Sequence, residues 1–259
     1  MKVLITGASS GIGRDMARIL SNKYEKMVLV GRNEERLKKL KDELKDSKAN
    51  IKIIPIDLSN YDNCIKLYNE NKNIDLLINS AGFGDCGNFS DTNLEKDINM
   101  INTNIIALHI LTKLYLKDMK KENKGQILNV ASIAGFTPGP LMATYYATKN
   151  YVVKLSEAIK EELRKEKSKV KISILCPGPV DTNFNKRANV KFNLKGLNSY
   201  DVAKYALIHL NRFYIVPGIN IKVSRIFSHL LPSSLLAKFI YKIQRKKLYR
   251  RNNHEWWFL

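Results

Sequence analysis

"MKVLITGASSGIG", residues 1–13, opens as an apolar run and closes on three glycines. Its first half has the Val, Leu and Ile content of a strand buried on both faces. Gly7, Gly11 and Gly13 then fall where a strand would turn into a helix. Glycine there permits a tight turn and lets the loop backbone, with Ser9, Ser10 and Ile12, approach a pyrophosphate. The helix N-terminus adds the positive end of its dipole. The alternative is a glycine-rich turn without a ligand. The strand before it and the helix after it favour a nucleotide site.

Similar apolar runs recur along the chain: "MVLVG", "IKIIPI", "IDLLIN", "QILNVA", "KISILC" and "FYIVP". Between most of them lie charged, helix-periodic stretches such as "NEERLKKLKDELKD" and "SEAIKEELRKEK". Strands alternating with helices predict an α/β fold, a doubly wound parallel sheet of about seven strands. No internal repeat or low-complexity linker divides the chain. Residues 1–216 read as the nucleotide-binding and catalytic domain, and 217–259 as a basic helical C-terminal extension of it.

The chain has 259 residues, 44% hydrophobic and 26% charged, with a formal net charge of +20. These values suit a soluble domain with a large core. Half of that excess lies in residues 202–259, which hold eleven basic side chains and a single acid, Glu255. Cys64, Cys86 and Cys176 are scattered, without CxxC or metal-ligand spacing, as expected of a reducing compartment and of a protein without a metal site. The strand-like start predicts no signal peptide, and no run approaches the length of a membrane span. The expectation is a cytoplasmic protein.

The glycine spacing is GxxxGxG rather than the general GxGxxG. In this the chain resembles the short-chain dehydrogenase/reductase family, whose signature is TGxxxGxG, and the resemblance extends over most of residues 1–182. "NSAG", Asn79 to Gly82, resembles the family's NNAG, with Ser80 in place of the second Asn. The resemblance implies a Rossmann-type fold and a cofactor site that includes Asn79, Ala81 and Gly82. It implies Asp57, followed by Leu58, near the adenine. "CPGPVDT" resembles PGxVxT and implies Pro177, Gly178, Val180 and Thr182 beside the nicotinamide. It also accounts for Pro55, since the family's third strand lies at the sheet edge, where proline is tolerated.

An acid at the end of the second strand would bond the ribose 2′-hydroxyl and select NAD. Here "VLVGRNEERL" places Gly31, Arg32 and Asn33 there instead. A guanidinium is suited to gripping a 2′-phosphate. Glu34 and Glu35 come later, in the expected first helical turn, where acids suit the dipole. Some NADP-dependent relatives carry a basic residue just before the second glycine, a place taken here by Ser10. The cofactor expected is NADP(H).

"ATYYATKNYVVKL", residues 143–155, offers three tyrosines on one predicted helix. Residues four apart share a face. Tyr145 has Lys149 at that spacing, Tyr146 has Asn150 and Tyr151 has Leu155. Only Tyr145 has a cation beside it, in the family's YxxxK, with Ser132 thirteen residues upstream. A free phenol has a pKa near 10, too high to cycle protons at neutral pH. An ammonium about 4 Å away at an effective dielectric near 20 is worth roughly 4 kcal/mol, and predicts a fall of up to about three units before desolvation opposes it. Tyr145 is then the expected acid/base. The resemblance implies Ser132 holding the substrate oxygen, Lys149 also bonding the nicotinamide ribose, and Asn104 in "INTNIIA" holding a relay water. Tyr146 and Tyr151 are read as packing, or as part of the helix pairing that makes family homo-oligomers, dimers or tetramers.

"NFNKRANVKFNLKGLN", residues 183–198, holds Lys186, Arg187, Lys191 and Lys195 and no acid. It reads as a lid that welcomes an anionic substrate, or simply as a lysine- and asparagine-rich segment. In "SSLLAKFIYKIQRKKLYRRNNHEWWFL" a helix would gather Leu236, Phe239, Ile240 and Ile243 on one face, with Lys238, Lys242, Arg245 and Lys246 on another. Three readings stand: packing on the body over the substrate cleft or a partner subunit, peripheral contact with an anionic membrane, and nucleic acid. The last rests on charge alone. "VPGINIKVSRIFSHLLP" resembles a subgroup of the family linked to lipid-like or apolar carbonyl substrates. The expected function is an NADP(H)-dependent oxidoreductase acting on a small-molecule carbonyl or secondary alcohol. The alternative is a non-catalytic NADP(H)-binding regulator or membrane-surface scaffold.

Overall fold

The structure is a computed structural model. It describes residues 1–182, 184, 196–218 and 231–249, the last four as backbone only. The expected lid at 183–198 and the resembling stretch at 216–232 therefore lie largely outside the described residues.

Five strands are apolar along nearly their whole length. They are β1 (Lys2–Thr6), β2 (Lys26–Gly31), β4 (Leu76–Asn79), β5 (Gln126–Val130) and β6 (Lys171–Leu175), each buried except at its first residue or throughout. Such strands need cover on both faces, which parallel crossovers supply. With β3 (Asn50–Pro55) and the short β9 (Tyr214–Ile215) they form one parallel sheet in the order β3-β2-β1-β4-β5-β6-β9. Pro55 is thus on an edge strand, where its missing N–H interrupts no ladder. Two further short strands, β7 (Val180–Asp181) and β8 (Leu197–Asn198), pair with each other.

Alternate residues of each strand feed opposite cores. Val3, Ile5 and Leu29 pack against α1 (Gly11–Leu20), α2 (Glu34–Glu43) and α7 (Ser199–Ile208), in a core with Met16, Leu37 and Val202. Leu4, Val28 and Leu77 pack on the other side with Leu67, Leu111 and Leu163, from α3 (Tyr61–Glu70), α5 (Leu108–Lys121) and α6 (Ala143–Lys165). Asparagine starts several helices: Asn33, Asn60 and Asn198 each accept a first-turn backbone N–H of α2, α3 and α7. Buried Asp15 ties α1 to α7 by accepting from the Ser199 hydroxyl while Arg14 and Arg18 balance its charge.

A polar tie crosses the second core. Asn79 Nδ2 at the end of β4 donates to Asn129 Oδ1 on β5 at 2.9 Å and to Thr112 Oγ1 on α5 at 3.0 Å. Asn129 Nδ2 donates in turn to Ser156 Oγ on α6 at 3.0 Å. All four side chains are buried, and these bonds take the place of water except at Asn79 Oδ1, which has no partner among the described residues.

The C-terminal segment contributes α8 (Ser233–Tyr249). Its apolar residues divide differently from the expected face. Leu236 and Gln244 are buried and Ile240 is partly buried, whereas Leu235, Phe239 and Ile243 are exposed. The docked stripe is an i, i+4, i+8 row centred on Ile240. Phe239 and Ile243 lie beside it, turned outward.

Candidate active site

The sheet order reverses between β1 and β4, and in such sheets the crevice at the strands' carboxyl ends takes the ligand. A cavity of about 240 Å³ opens there. Its wall takes Gly7 after β1, Arg32 after β2, Asp57 after β3, Ala81 after β4, Ser132 after β5 and Pro177 after β6. Residues far apart in the chain meet because each sits just past a strand end.

The glycine loop is closed too tightly for side chains. Gly7 has φ of +70°, and a Cβ there would stand 2.8 Å from Ala81 N and Ser80 O. A Cβ on Gly13 would meet Gly7 O at 2.7 Å. Thr6 Oγ1 holds the facing strand end by accepting from Ser80 N at 3.0 Å and Ala81 N at 3.1 Å. Ser10, at the N-cap of α1, makes no side-chain capping bond. Ser9, Ser10, Gly11 and Ile12 line the cavity. Backbone donors at a helix start, in a turn that excludes Cβ atoms, fit the diphosphate of a nicotinamide dinucleotide.

At the far end, Arg32, Asn33, Asp57, Leu58 and Phe83 surround the opening. Arg32 is 47% exposed, with Nη1 3.9 Å from Asp57 Oδ2 and its guanidinium 5.9 Å from the Phe83 ring. The first-turn acids of α2 are engaged elsewhere: Glu34 pairs with Lys38 at 2.8 Å. Asn33 caps α2 through Arg36 N at 2.7 Å.

Three of the expected residues do not line the cavity. Gly13 packs behind Gly7, Asn79 turns inward to Thr112 and Asn129, and Asn104 lies one layer back. Asn104 belongs to a π-helical stretch, Asn102–Ala107, between α4 (Leu94–Ile101) and α5. Its Oδ1 accepts from Phe83 N at 3.1 Å, and its Nδ2 donates to Phe83 O and to Thr148 Oγ1. The other expected residues, including Gly82, Gly178, Val180 and Thr182, line the wall.

Tyr145 and Lys149 occupy successive turns of α6, and Ser132 reaches Tyr145 from the end of β5. The Ser132 hydroxyl lies beside the Tyr145 phenol on the cavity wall, and Ser132 Oγ accepts from Ala134 N at 3.1 Å. Lys149 is buried and donates to Val130 O at 3.0 Å. Burial pushes its ammonium down to about 8. Its Nζ is 5.9 Å from the centre of the Tyr145 ring, and burial drives the phenol upward, opposed by the neighbouring Ser132 hydroxyl. The fall expected from a cation at contact distance does not occur in the protein alone: Lys149 does not act on the phenol there, and desolvation sets the direction. Tyr145 is a neutral acid at physiological pH.

Beyond Tyr145 the wall becomes apolar and aromatic, with Met142, Tyr146 and Phe184, and is closed by Gln244 from α8. The Tyr145 ring lies 6.1 Å from that of Tyr146 and 5.2 Å from that of Phe184. Tyr146, read from the sequence as packing, is therefore part of the wall. Phe83 and Thr103 at the other end were also missed. Nothing in their local spacing marks them, because they are brought in by strand order and helix docking.

The family model for short chain dehydrogenase matches residues 1–193. An uncharacterized oxidoreductase of Staphylococcus epidermidis is 35% identical over 211 residues, covering 79% of this chain and 89% of that protein. Among solved structures, a short-chain dehydrogenase from Sphingobium yanoikuyae in complex with NADPH aligns with a TM-score of 0.80 at 28% identity, over 88% of this chain and 91% of its own. A short chain dehydrogenase/reductase from Burkholderia phymatum in complex with NAD aligns with a TM-score of 0.78 at 25% identity, over 88% and 92%. A glycine loop at the switch point, a Ser–Tyr–Lys group on the facing wall and these relatives agree: the chain is an oxidoreductase of the short-chain dehydrogenase/reductase family.

Proposed function

We propose that the protein is an NADP(H)-dependent oxidoreductase that interconverts a carbonyl and a secondary alcohol on an apolar small molecule. The observation that carries the reading is a single cavity with the neighbouring Tyr145 and Ser132 hydroxyls at one end and Arg32 at the other. A bound nicotinamide supplies or accepts the hydride. Ser132 and Tyr145 hold the substrate oxygen, and Tyr145, protonated at neutral pH, gives it a proton as the carbonyl is reduced. The phenolate left behind is balanced by the Lys149 ammonium and reprotonated along the side that Asn104 braces. In the oxidative direction the same proton returns to Tyr145. The test is NADPH oxidation against a panel of ketones, aldehydes, acyl thioesters and sterols. Binding of NADPH with no turnover of any member would favour the regulator or scaffold reading.

The choice of NADP(H) is supported by a guanidinium, not a carboxylate, at the end of β2. A charge-assisted pair with a 2′-phosphate is worth about 1.5–3 kcal/mol. Arg32→Asp should therefore lower the preference for NADPH over NADH by at least about tenfold, measured as the ratio of kcat/KM values. An unchanged ratio would remove Arg32 from the cofactor site. Exposed Leu94, Ile98 and Ile106, on α4 and the π-helical stretch, support a homo-oligomer.

A second reading adds peripheral membrane contact. It is favoured by the outward row Leu235, Phe239 and Ile243 on α8, flanked by exposed Lys238, Lys242 and Arg245. Among the described residues no helix is long and apolar enough to cross a membrane. The protein should sediment with phosphatidylglycerol-containing vesicles at low salt, and less at high salt or with phosphatidylcholine alone. Absence of salt-sensitive sedimentation would end this reading.

A further inference from the structure

Gln244 stands out among the residues of the cavity wall. It is 1% exposed, sits on the inner row of α8, and faces the same space as Tyr145. Its Nε2 donates to Tyr146 Oη at 2.7 Å. Its Oε1 is buried and has no hydrogen-bond partner among the described residues. An unpaired buried amide oxygen costs roughly 1–3 kcal/mol, so a position that retains one calls for a reason. A leucine or methionine would serve the packing of α8 without that penalty.

The amide is also held in place. Tyr146 presents its hydroxyl to Gln244, and its ring packs against Gly139, where a Cβ would come within 1.9 Å of Tyr146 Cγ. The Tyr146 backbone carbonyl accepts from Asn150 Nδ2, which also donates to Ala134 O and Thr137 O. Around this point Met142 and Phe184 offer no hydrogen-bonding side-chain group of comparable strength. The arrangement is a fixed acceptor set in an apolar and aromatic wall, apart from the oxygen-holding Ser132 and Tyr145.

We infer that Gln244 is a specificity-determining residue. Its Oε1 accepts a hydrogen bond from a second polar group of the substrate, a hydroxyl or N–H on an otherwise apolar body, away from the reacting carbon. The substrate class is a ketone, or its alcohol, that carries such a donor. The inference rests on reading this cavity as the carbonyl site. A site built to hydrogen-bond a substrate group discriminates against the analogue lacking it, because its own polar atom is then left unpaired.

Matched probes test it: phenyl- and para-hydroxyphenyl-substituted butanone and cyclohexanone, compared pair by pair. Affinity for the protein–NADPH complex is read from cofactor fluorescence, and turnover from NADPH absorbance. The wild type should prefer the hydroxylated member of at least one pair by about tenfold or more. Gln244→Met, of similar volume, should bring that ratio to within about threefold of unity, and Gln244→Glu, which keeps an acceptor, should retain the preference. No preference in the wild type, or a preference untouched in Gln244→Met, overturns the inference. A Gln244-dependent binding preference without turnover would leave it standing and defeat the oxidoreductase reading of the site. Turnover of every pair without preference would do the reverse.

Discussion

Tyr145→Phe should lower kcat/KM for carbonyl reduction by about 10³-fold, with NADPH affinity within a few-fold of wild type and little change in Tm. The substitution removes one hydroxyl from a cavity wall and leaves the ring, with its contacts to Tyr146 and Phe184, in place. The pH behaviour follows from burial. With the phenol pushed up, Tyr145 carries its proton across the physiological range, which suits donation to a carbonyl. Alcohol oxidation needs the phenolate and should speed up as pH rises. Lys149 titrates near 8, so the supporting positive charge is lost above that value and the reductive kcat/KM should fall there. A variant that keeps a tenth of wild-type turnover would show that another group delivers the proton.

Lys149→Met should have opposite effects on function and on stability. Turnover should drop by about 10²-fold or more, since the variant has no cation to balance the Tyr145 phenolate and no ammonium for the cofactor ribose. The protein without cofactor should become more stable. An unfolded chain keeps this lysine protonated to about 10.5, whereas the folded chain releases the proton near 8. The unfolded state therefore holds more protons between those values, and wild-type stability rises with pH across that interval. Below pH 8 the burial penalty is present in full, at about 3 kcal/mol. Losing the bond to Val130 O returns about 1 kcal/mol of it, which leaves a net gain of about 2 kcal/mol near pH 7. Denaturant titrations at pH 7 and pH 10 should show that gain shrinking at the higher pH. A variant less stable at both would place the ammonium in a better-solvated setting than its burial implies.

The parts of this protein legible in its sequence are those fixed by local geometry. The glycine turn, the Tyr145–Lys149 spacing and the apolar strands are set within a few residues, whereas the edge position of Pro55 followed from the family resemblance, with which its missing N–H is compatible. The substrate end was not legible. Gln244 reaches Tyr146 across 98 residues of chain, and nothing in the period of α8 indicates which side would dock. The apolar content of that helix predicted one broad face, whereas among its described side chains the body buries the row Leu236, Ile240 and Gln244 and leaves Phe239 and Ile243 exposed. The same gap explains the Tyr145 phenol: its spacing to a cation is visible in the sequence, but its desolvation is a property of the assembled cavity.

The tie from Asn79 through Asn129 to Ser156 bears on how this lineage can change. Each member satisfies the next, so replacing one by an apolar residue strands a buried polar atom on its neighbour. Replacing all of them together removes the debt. Sequences descended from this one should therefore carry these positions as a block, inherited whole or exchanged whole. Single departures should be rare even though none of these side chains lies in the cavity wall.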